Sequence, residues 1–166
     1  MKAGTGLTHD FCLGLRSPDI IRAGHFIDCY LGEVITEKEA DLREEASGSQ
    51  LTPSYLFSLD FLRESDEDEI YVVDGQRLGS AMRFMNHSCK PNCKLFPASR
   101  NHADNRLYDL AFFSLRDIPP MQELTFDYNP QMEADREIDP NAVRCLCGES
   151  NCRGQLWPND RKRTGC

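Results

Sequence analysis

The stretch RFMNHSCKPN, residues 83–92, lies in the middle of the chain and decides the fold when it is taken with two later segments. It places an asparagine, a histidine and a cysteine within four positions, just before a proline-directed turn. Alone it predicts little, because an Asn-His pair usually belongs to a turn whose side chains satisfy one another. The two later segments are ELTFDY, residues 123–128, and CLCGESNC, residues 145–152.

Upstream of this stretch, short strand-forming segments alternate with turns. These segments are rich in β-branched and aromatic residues. They are residues 24–34 (GHFIDCYLGEV), 55–59 (YLFSL) and 70–73 (IYVV). Thr36 and Glu39 form a capping box, which predicts a helix of roughly ten residues that ends near Ala46. Residues 80–85 predict a single helical turn.

Downstream, residues 110–115 (LAFFSL) and 123–128 predict two further strands, separated by the Pro119-Pro120 pair. The polar chain from Asn129 to Arg144 predicts a connector. An acidic run from Glu64 to Glu69 is typical of a solvated loop. The sequence therefore predicts a mainly β domain with short helices and a small cysteine-bearing appendage.

That appendage contains three thiols within eight residues, Cys145, Cys147 and Cys152. The first residues of the chain lack the apolar stretch of a secretory signal, so clustered thiols favour metal binding over disulfides. Three thiolates do not complete a tetrahedral structural zinc site, and a fourth ligand must come from elsewhere. The candidates are Cys89, Cys93, His87 and His102.

Length and charge limit the classes of function. A chain of 166 residues fits one domain with a core of its own. Its formal net charge of -8 argues against direct, broad binding to nucleic acid and suits a basic partner such as a Lys/Arg-rich peptide. No apolar run approaches the ~20 residues that span a bilayer, so we expect an intracellular protein without a membrane partner.

Taken together, the motifs resemble those of the SET-domain protein lysine methyltransferases. The likeness is strongest to the Su(var)3-9-type branch, whose members methylate lysine nine of histone H3. It extends from about Leu13 to Trp157 and is carried by residues 55–57 (YLF), 83–92, 108–111 (YDLA), 123–128 and 145–157. The resemblance implies a SET-domain fold of small curved sheets, with a knot-like C-terminal segment and a zinc-binding post-SET appendage.

The resemblance also implies a division of the chain. The SET domain would cover residues 1–129, a connector 130–143, the post-SET zinc-binding segment 144–158 and a disordered tail 159–166. The branch usually has a cysteine-rich, multi-zinc region ahead of the SET domain, and the sequence before Leu13 has no room for one. A Gly-Trp-Gly cofactor turn is replaced by Cys12-Leu13-Gly14, which predicts reduced affinity for the cofactor.

Matching residues inherit family roles through the resemblance. Those implied to hold S-adenosylmethionine are Gly14, Leu15, Arg83, Phe84, Asn86 and His87. Those implied to bind zinc are Cys89, Cys145, Cys147 and Cys152. The implied catalytic residues are Tyr128, Tyr55 and Phe126, and Trp157 would line the lysine channel with Phe126.

The chemistry of methyl transfer fits these residue types. A free lysine has a pKa of about 10.4 and is almost wholly protonated at neutral pH. A narrow aromatic channel excludes water and disfavours the ammonium form, so that the neutral amine need only be oriented. No general base is obvious in the motifs. The phenyl ring of Phe126 leaves room for a methylated amine, which implies di- or trimethylation.

We therefore expect a nuclear, chromatin-associated and monomeric histone lysine methyltransferase that acts on lysine nine of histone H3. Its partner would be the H3 N-terminal tail or another basic peptide, without sequence-specific contact to nucleic acid. The alternative is a catalytically impaired SET fold that serves as a histone-tail or partner-binding module.

Overall fold

The computed structural model describes residues 13–47, 55–62, 69–99, 105–132 and 142–156. Several sequence predictions lie outside these ranges: they concern Cys12, the acidic run up to residue 68, His102, Trp157 and the tail 159–166. Within these ranges no helix has the length and apolar character that crossing a membrane requires.

Eight strands, one α-helix and one 3-10 turn make up the described chain. In chain order they are β1 (Phe26–Tyr30), β2 (Glu33–Thr36), α1 (Glu37–Ser47), β3 (Leu56–Ser58), β4 (Tyr71–Asp74), the 3-10 turn (Ala81–Phe84), β5 (Asn86–His87), β6 (Cys93–Ala98), β7 (Asp109–Ser114) and β8 (Thr125–Phe126). The predicted class, mainly β with short helices, is confirmed.

The strands form three small sheets. Two are antiparallel and three-stranded, with orders β1-β7-β6 and β2-β4-β3, and the third pairs β5 with β8 in parallel. Side chains from the first sheet and from the loops around it form the main core, where Phe112, Leu110, Met85 and Ile118 are at most 1% exposed. This packing fixes the loops that carry the candidate site.

The predicted strand over residues 24–34 is divided into β1 and β2 at Leu31-Gly32. The backbone of Gly32 lies directly against Asp74, and a Cβ there would collide with the Asp74 carbonyl group. The chain therefore leaves the first sheet and enters the second at a residue without a side chain.

Helix α1 begins as the capping box predicts. Thr36 Oγ1 accepts a hydrogen bond from the Glu39 backbone N–H at 3.3 Å. The helix is held on the second sheet by Arg43, which forms ion pairs with Glu33, Glu39 and the buried Asp74. Arg43 thus connects α1 to β2 and to the end of β4.

Strand β6 was not predicted, although its side chains alternate between buried Cys93 and Leu95 and exposed Lys94 and Phe96. Pro97 obscures this pattern, because proline has no N–H to donate and is therefore disfavoured in a central strand. The sheet order shows that β6 is an edge strand, where proline is tolerated. Strand β8 is shorter than the predicted 123–128, with two paired residues.

Candidate active site and metal centre

The parallel pairing of β5 with β8 brings the two central motifs together. Asn86 lies opposite Thr125 and His87 opposite Phe126 in this pairing. The ladder continues for one more hydrogen bond, from the Ser88 N–H to the Phe126 carbonyl at 3.1 Å. Two segments that are about forty positions apart in the chain thus form one structural unit. The knot-like threading implied by the resemblance stays a prediction.

The side chain of Asn92 holds the backbone that leads into β8. Its side-chain amide donates to the Glu123 carbonyl at 2.7 Å, and its side-chain oxygen accepts from the Thr125 N–H at 2.8 Å. The residue is 2% exposed. One side chain thus makes the two hydrogen bonds, one donated and one accepted, that a neighbouring strand would make to the backbone that enters β8.

The predicted cofactor residues near the N-terminus lie beside Asn86. The Asn86 side-chain N–H group donates to the Leu13 carbonyl at 3.2 Å and to Glu123 Oε1 at 2.6 Å. Leu15 is joined to the same segment through its carbonyl, which accepts from the Leu124 N–H at 2.8 Å. A Cβ on Gly14 would lie 2.6 Å from Glu123 Oε1, so a larger residue there would displace the carboxylate that holds the Asn86 amide. Glu123, for which the sequence motifs predict no role, holds the Asn86 amide in place.

His87 lies between the predicted catalytic tyrosine and the cysteine group. The Tyr128 N–H donates to His87 Nδ1 at 3.1 Å, so that Nδ1 is the acceptor and the ring proton belongs on Nε2. Nε2 is 3.2 Å from Cys89 Sγ. Burial lowers the pKa of His87, which favours this neutral imidazole. His87 therefore links Tyr128 to Cys89.

Phe126 occupies the centre of an aromatic cluster. Its ring centroid is 4.7 Å from that of Tyr128, 4.9 Å from Phe112 and 6.3 Å from Phe57. The Tyr128 hydroxyl donates to the Met85 carbonyl at 2.7 Å. Phe57 was not assigned a role, although it follows Tyr55 at the two-residue spacing that places side chains on one face of a strand.

Tyr55 is held by contacts to its backbone and its ring. Its carbonyl accepts from the Tyr30 hydroxyl at 2.6 Å and from the Gly75 N–H at 3.0 Å. The Arg83 guanidinium carbon lies 5.1 Å from the Tyr55 ring centroid and 4.8 Å from that of Phe84. Two predicted cofactor residues, Arg83 and Phe84, therefore lie on the Tyr55 side of the site.

Arg83 also offers a test of whether a ligand fits here. One terminal nitrogen donates to the Gly75 carbonyl at 2.6 Å. Its Nε is buried and has no hydrogen-bond partner within the described part of the chain. A buried donor of this kind is suited to a polar group of a ligand, because leaving it unpaired costs about 1–3 kcal/mol. Together with the side-chain-free backbone at Gly14, it is compatible with a polar cofactor.

The four predicted zinc ligands come together in the structure. The Sγ atoms of Cys89, Cys145, Cys147 and Cys152 all lie within 4.8 Å of one another. Cys89 and Cys145 are 3.8 Å apart, which matches the edge of about 3.8 Å for a tetrahedron with 2.3 Å zinc–sulfur bonds. The group could therefore hold a zinc ion.

Two other candidates for the fourth zinc ligand, Cys93 and His87, do not belong to the group of four thiols. Cys93 is fully buried in the core, with its Sγ 3.3 Å from Asn92 Oδ1, and burial raises its pKa to about 11. His87 contacts Cys89 but uses Nδ1 for Tyr128. Among the described residues, the ligand group consists of cysteines.

Comparisons with known proteins agree with this geometry. A family model described as the SET domain matches residues 13–129. The chain is 43% identical over 162 residues to an H3 lysine-9-specific histone-lysine N-methyltransferase of Fusarium mangiferae, covering 90% of this chain and 47% of that protein. It is also 43% identical over 153 residues to the H3 lysine-9-specific enzyme of Schizosaccharomyces pombe, covering 87% of this chain and 30% of that protein.

Solved structures give the same result. One, described as the structural basis for the product specificity of histone lysine methyltransferases, superposes with a TM-score of 0.72 at 43% identity, covering 87% of this chain and 52% of that chain. The Neurospora SET domain protein DIM-5, a histone lysine methyltransferase, superposes with a TM-score of 0.63 at 38% identity, covering 81% and 52%. The chain spans about half the length of these relatives or less.

Proposed function

Because the chain belongs to the SET-domain family, we propose that it transfers methyl groups from S-adenosylmethionine to lysine nine of histone H3, up to the di- or trimethyl state. The observation that carries this proposal is the β5–β8 pairing, which places Asn86 and His87 beside Phe126 and Tyr128. The candidate cofactor residues and the aromatic cluster are thereby adjacent across the β5–β8 pair. The choice of lysine nine as the target rests on the names of the relatives.

The residues that would hold the cofactor come from two segments of the chain, one near the N-terminus and one around β5. They are Gly14, Leu15, Arg83, Phe84, Asn86 and His87. When bound, S-adenosylmethionine supplies an electrophilic methyl group on a sulfonium ion. The hydrogen bond from Asn86 to Glu123 would fix the amide, and the unpaired Arg83 Nε would offer a donor to a polar group of the cofactor.

The lysine channel would be formed by the aromatic cluster. Tyr55, Phe57, Phe126 and Tyr128 would surround the amine, with Trp157 as a further wall. Phe126 is 6% exposed, so an amine beside it would lose most of its hydration. Because burial disfavours a charged ammonium, such a channel lowers the pKa of the substrate lysine and raises the share of the reactive neutral form.

Tyr128 would orient that amine. A hydroxyl oxygen has two acceptor lone pairs besides its one donor, so a phenol that donates to the Met85 carbonyl is suited to accept from an amine N–H. The main-chain bond from Tyr128 to His87 fixes the backbone of the same residue. Catalysis would then rest on orientation, which is worth up to ~7–11 kcal/mol.

Zinc would hold the post-SET segment, residues 144–158, against the SET domain, residues 1–129, across the connector 130–143. The four grouped thiols would be its ligands. The net charge of -8 suits a basic H3 tail. A histone substrate would place the protein in the nucleus at chromatin, and we expect it to act as a monomer.

A mass-spectrometric methyl-transfer assay on histone H3 peptides tests the function. Wild-type protein should methylate the peptide that carries lysine nine and leave one with arginine at that position unmodified. Tyr128→Phe removes the orienting hydroxyl, and the rate should fall by about 100-fold because a misplaced reacting group costs about that factor. Tyr71→Phe is the matched control, since its hydroxyl contacts Glu69 at the surface. Peptide binding without turnover would instead favour a histone-tail-binding module.

The product state is tested with Phe126→Tyr. The Phe126 ring centroid lies 4.7 Å from that of Tyr128, and a hydroxyl added to Phe126 would occupy the space that a methylated amine needs. Wild-type protein should yield di- and trimethyllysine and the variant mainly monomethyllysine, as read from the masses of the product peptides. An unchanged product distribution in a folded variant would remove Phe126 from this role.

A further inference from the structure

Arg153 runs from the cysteine group to the chain that follows β8. It comes directly after Cys152, and its side chain is 9% exposed. The guanidinium forms an ion pair with Asp127 and donates to the Asn129 carbonyl at 3.0 Å and the Met132 carbonyl at 3.3 Å. One arginine therefore binds three positions in the segment that leaves the candidate active site.

Two of these positions flank Tyr128. Asp127 precedes it and Asn129 follows it, and the Asn129 N–H donates to Asp127 Oδ1 at 3.0 Å. The same carboxylate oxygen lies 3.7 Å from His87 Nδ1, the atom that accepts from the Tyr128 N–H. The backbone of Tyr128 is thus enclosed by groups that Arg153 contacts.

The other end of Arg153 belongs to the cysteine group. Its backbone N–H donates to Cys89 Sγ at 3.4 Å, and the Gly154 N–H donates to Cys152 Sγ at the same distance. Because the neighbouring Cys152 is one of the four grouped thiols, a metal ion there would fix the Arg153 backbone. The side chain then transfers that constraint to the Tyr128 segment.

We propose that Arg153 is a positioning residue, which couples the occupied cysteine group to Tyr128 through Asp127 and the Asn129 carbonyl. The proposal rests on the methyl-transfer function proposed above for Tyr128. The planar, forked guanidinium is required because its bonds go to a carboxylate and to two carbonyls in different directions. A lysine ammonium at this position supplies the charge but not the fork.

A purely structural anchor would behave differently from a positioning residue. If Arg153 only fastened the segment, its loss would release the segment and the metal together. As a positioning residue, its loss leaves the four ligands in place and disturbs the orientation of Tyr128. The two roles are therefore separated by metal content, by the division of the effect between kcat and KM, and by local backbone protection.

The test uses the full chain with Arg153→Met, Arg153→Lys and, as a matched control, Arg144→Met, which removes an exposed arginine next to Cys145. All variants should retain the zinc content of the wild type and, after replacement by Co(II), its absorption spectrum. Arg153→Met should lower kcat by about 10- to 100-fold with KM for S-adenosylmethionine changed less than about twofold. Arg153→Lys should recover part of this loss, and Arg144→Met should match the wild type.

Hydrogen exchange separates this proposal from the function on which it rests. In zinc-loaded protein, residues 127–132 should exchange faster in Arg153→Met than in the wild type, while β7 should be unchanged. Asp127→Asn combined with Arg153→Met should cost less than the sum of the single changes. Loss of zinc, unchanged protection or an effect on KM alone would overturn the positioning role. If wild-type protein transfers no methyl group, the function fails, and the exchange result still decides the coupling.

Discussion

The sheet region, which comprises the described residues between 13 and 132, and the cysteine segment, residues 142–156, contribute to the same site. They are stabilised in different ways. In the sheet region, Phe112, Leu110 and Leu124 are at most 2% exposed and pack in one core. In residues 142–156, the described buried residues are Cys145 and Gln155, and Leu146 is 81% exposed. Apolar burial can support the first region, whereas the second has too little of it.

This difference shows where a metal ion is needed. Folding units of fewer than about 40 residues usually require metals, disulfides or a partner. In such a segment the free energy of metal binding is also the free energy of folding. The aromatic cluster around Phe126 should therefore persist without metal, whereas the contacts of Arg153 to the Tyr128 segment should not.

Removal of zinc should have the largest effect and separates the two regions. Chelation should lower methyl transfer by at least about 100-fold, because the Tyr128 segment loses its external support. The thermal unfolding transition of the sheet region should remain cooperative, since its core contains none of the four ligands. The measurements are the peptide assay and calorimetry on the same chelated sample.

Returning zinc to the chelated protein should restore the activity, and returning Mg²⁺ should not, because magnesium prefers oxygen ligands. Simultaneous loss of activity and of the sheet transition would show that the two regions fold as one unit.

Asn92→Asp tests the support that the sheet region gives to the site. The change preserves the shape of the side chain but replaces the donor to the Glu123 carbonyl by an oxygen. Because this places two acceptors together in a buried site, we expect a loss of about 2–3 kcal/mol in the free energy of unfolding. Urea titration should show a lower midpoint with an unchanged slope.

The matched control lies in the cysteine segment. Asn151 is exposed and donates to the Cys89 carbonyl at 3.1 Å. Asn151→Asp makes the same chemical change at the surface and should cost no more than about 0.5 kcal/mol. Equal costs at the two positions would contradict the division between a buried and an exposed region.

The sequence predicted the fold most successfully where an element is encoded by a local pattern. The strands around residues 55–59 and 110–115 and helix α1 follow from local patterns, as the structure confirms. Spacing alone left four candidates for the fourth ligand, since Cys89 is far from the other three in the chain. The resemblance narrowed these to Cys89, which the structure places in the group.

The roles that the sequence did not reveal depend on partners in distant segments. Asn92 and Glu123 are ordinary polar residues until β5 and β8 pair, and Arg153 has no visible role until the cysteine segment lies beside Asp127. Phe57 looked like one of many strand aromatics. For Phe57 the two-residue spacing from Tyr55 is a local signal, whereas the roles of Asn92, Glu123 and Arg153 depend on tertiary contacts that no local pattern encodes.

The smallest expected effect concerns Tyr108, which joins the sheet region to the loop after β3. Its hydroxyl accepts from the Phe61 N–H at 2.8 Å, and the Phe61 ring stacks on Phe57. Burial raises the pKa of Tyr108 to about 12. Because the folded state favours the protonated phenol, this stabilisation is complete below the unfolded pKa of about 10 and is lost as the pH rises toward 12.

Tyr108→Phe should therefore lower the free energy of unfolding by about 1 kcal/mol at pH 8, through the lost hydrogen bond. It should also remove the contribution of this phenol to alkaline destabilisation, so that the difference from the wild type shrinks as the pH rises above the unfolded pKa of about 10 toward the folded pKa of about 12. Urea titrations across this range measure the difference, with Tyr71→Phe as the surface control. A difference that stays constant with pH would show that the Tyr108 phenol ionises as easily in the folded protein as in the unfolded chain, and that the sheet region does not enclose it as tightly as the core packing indicates.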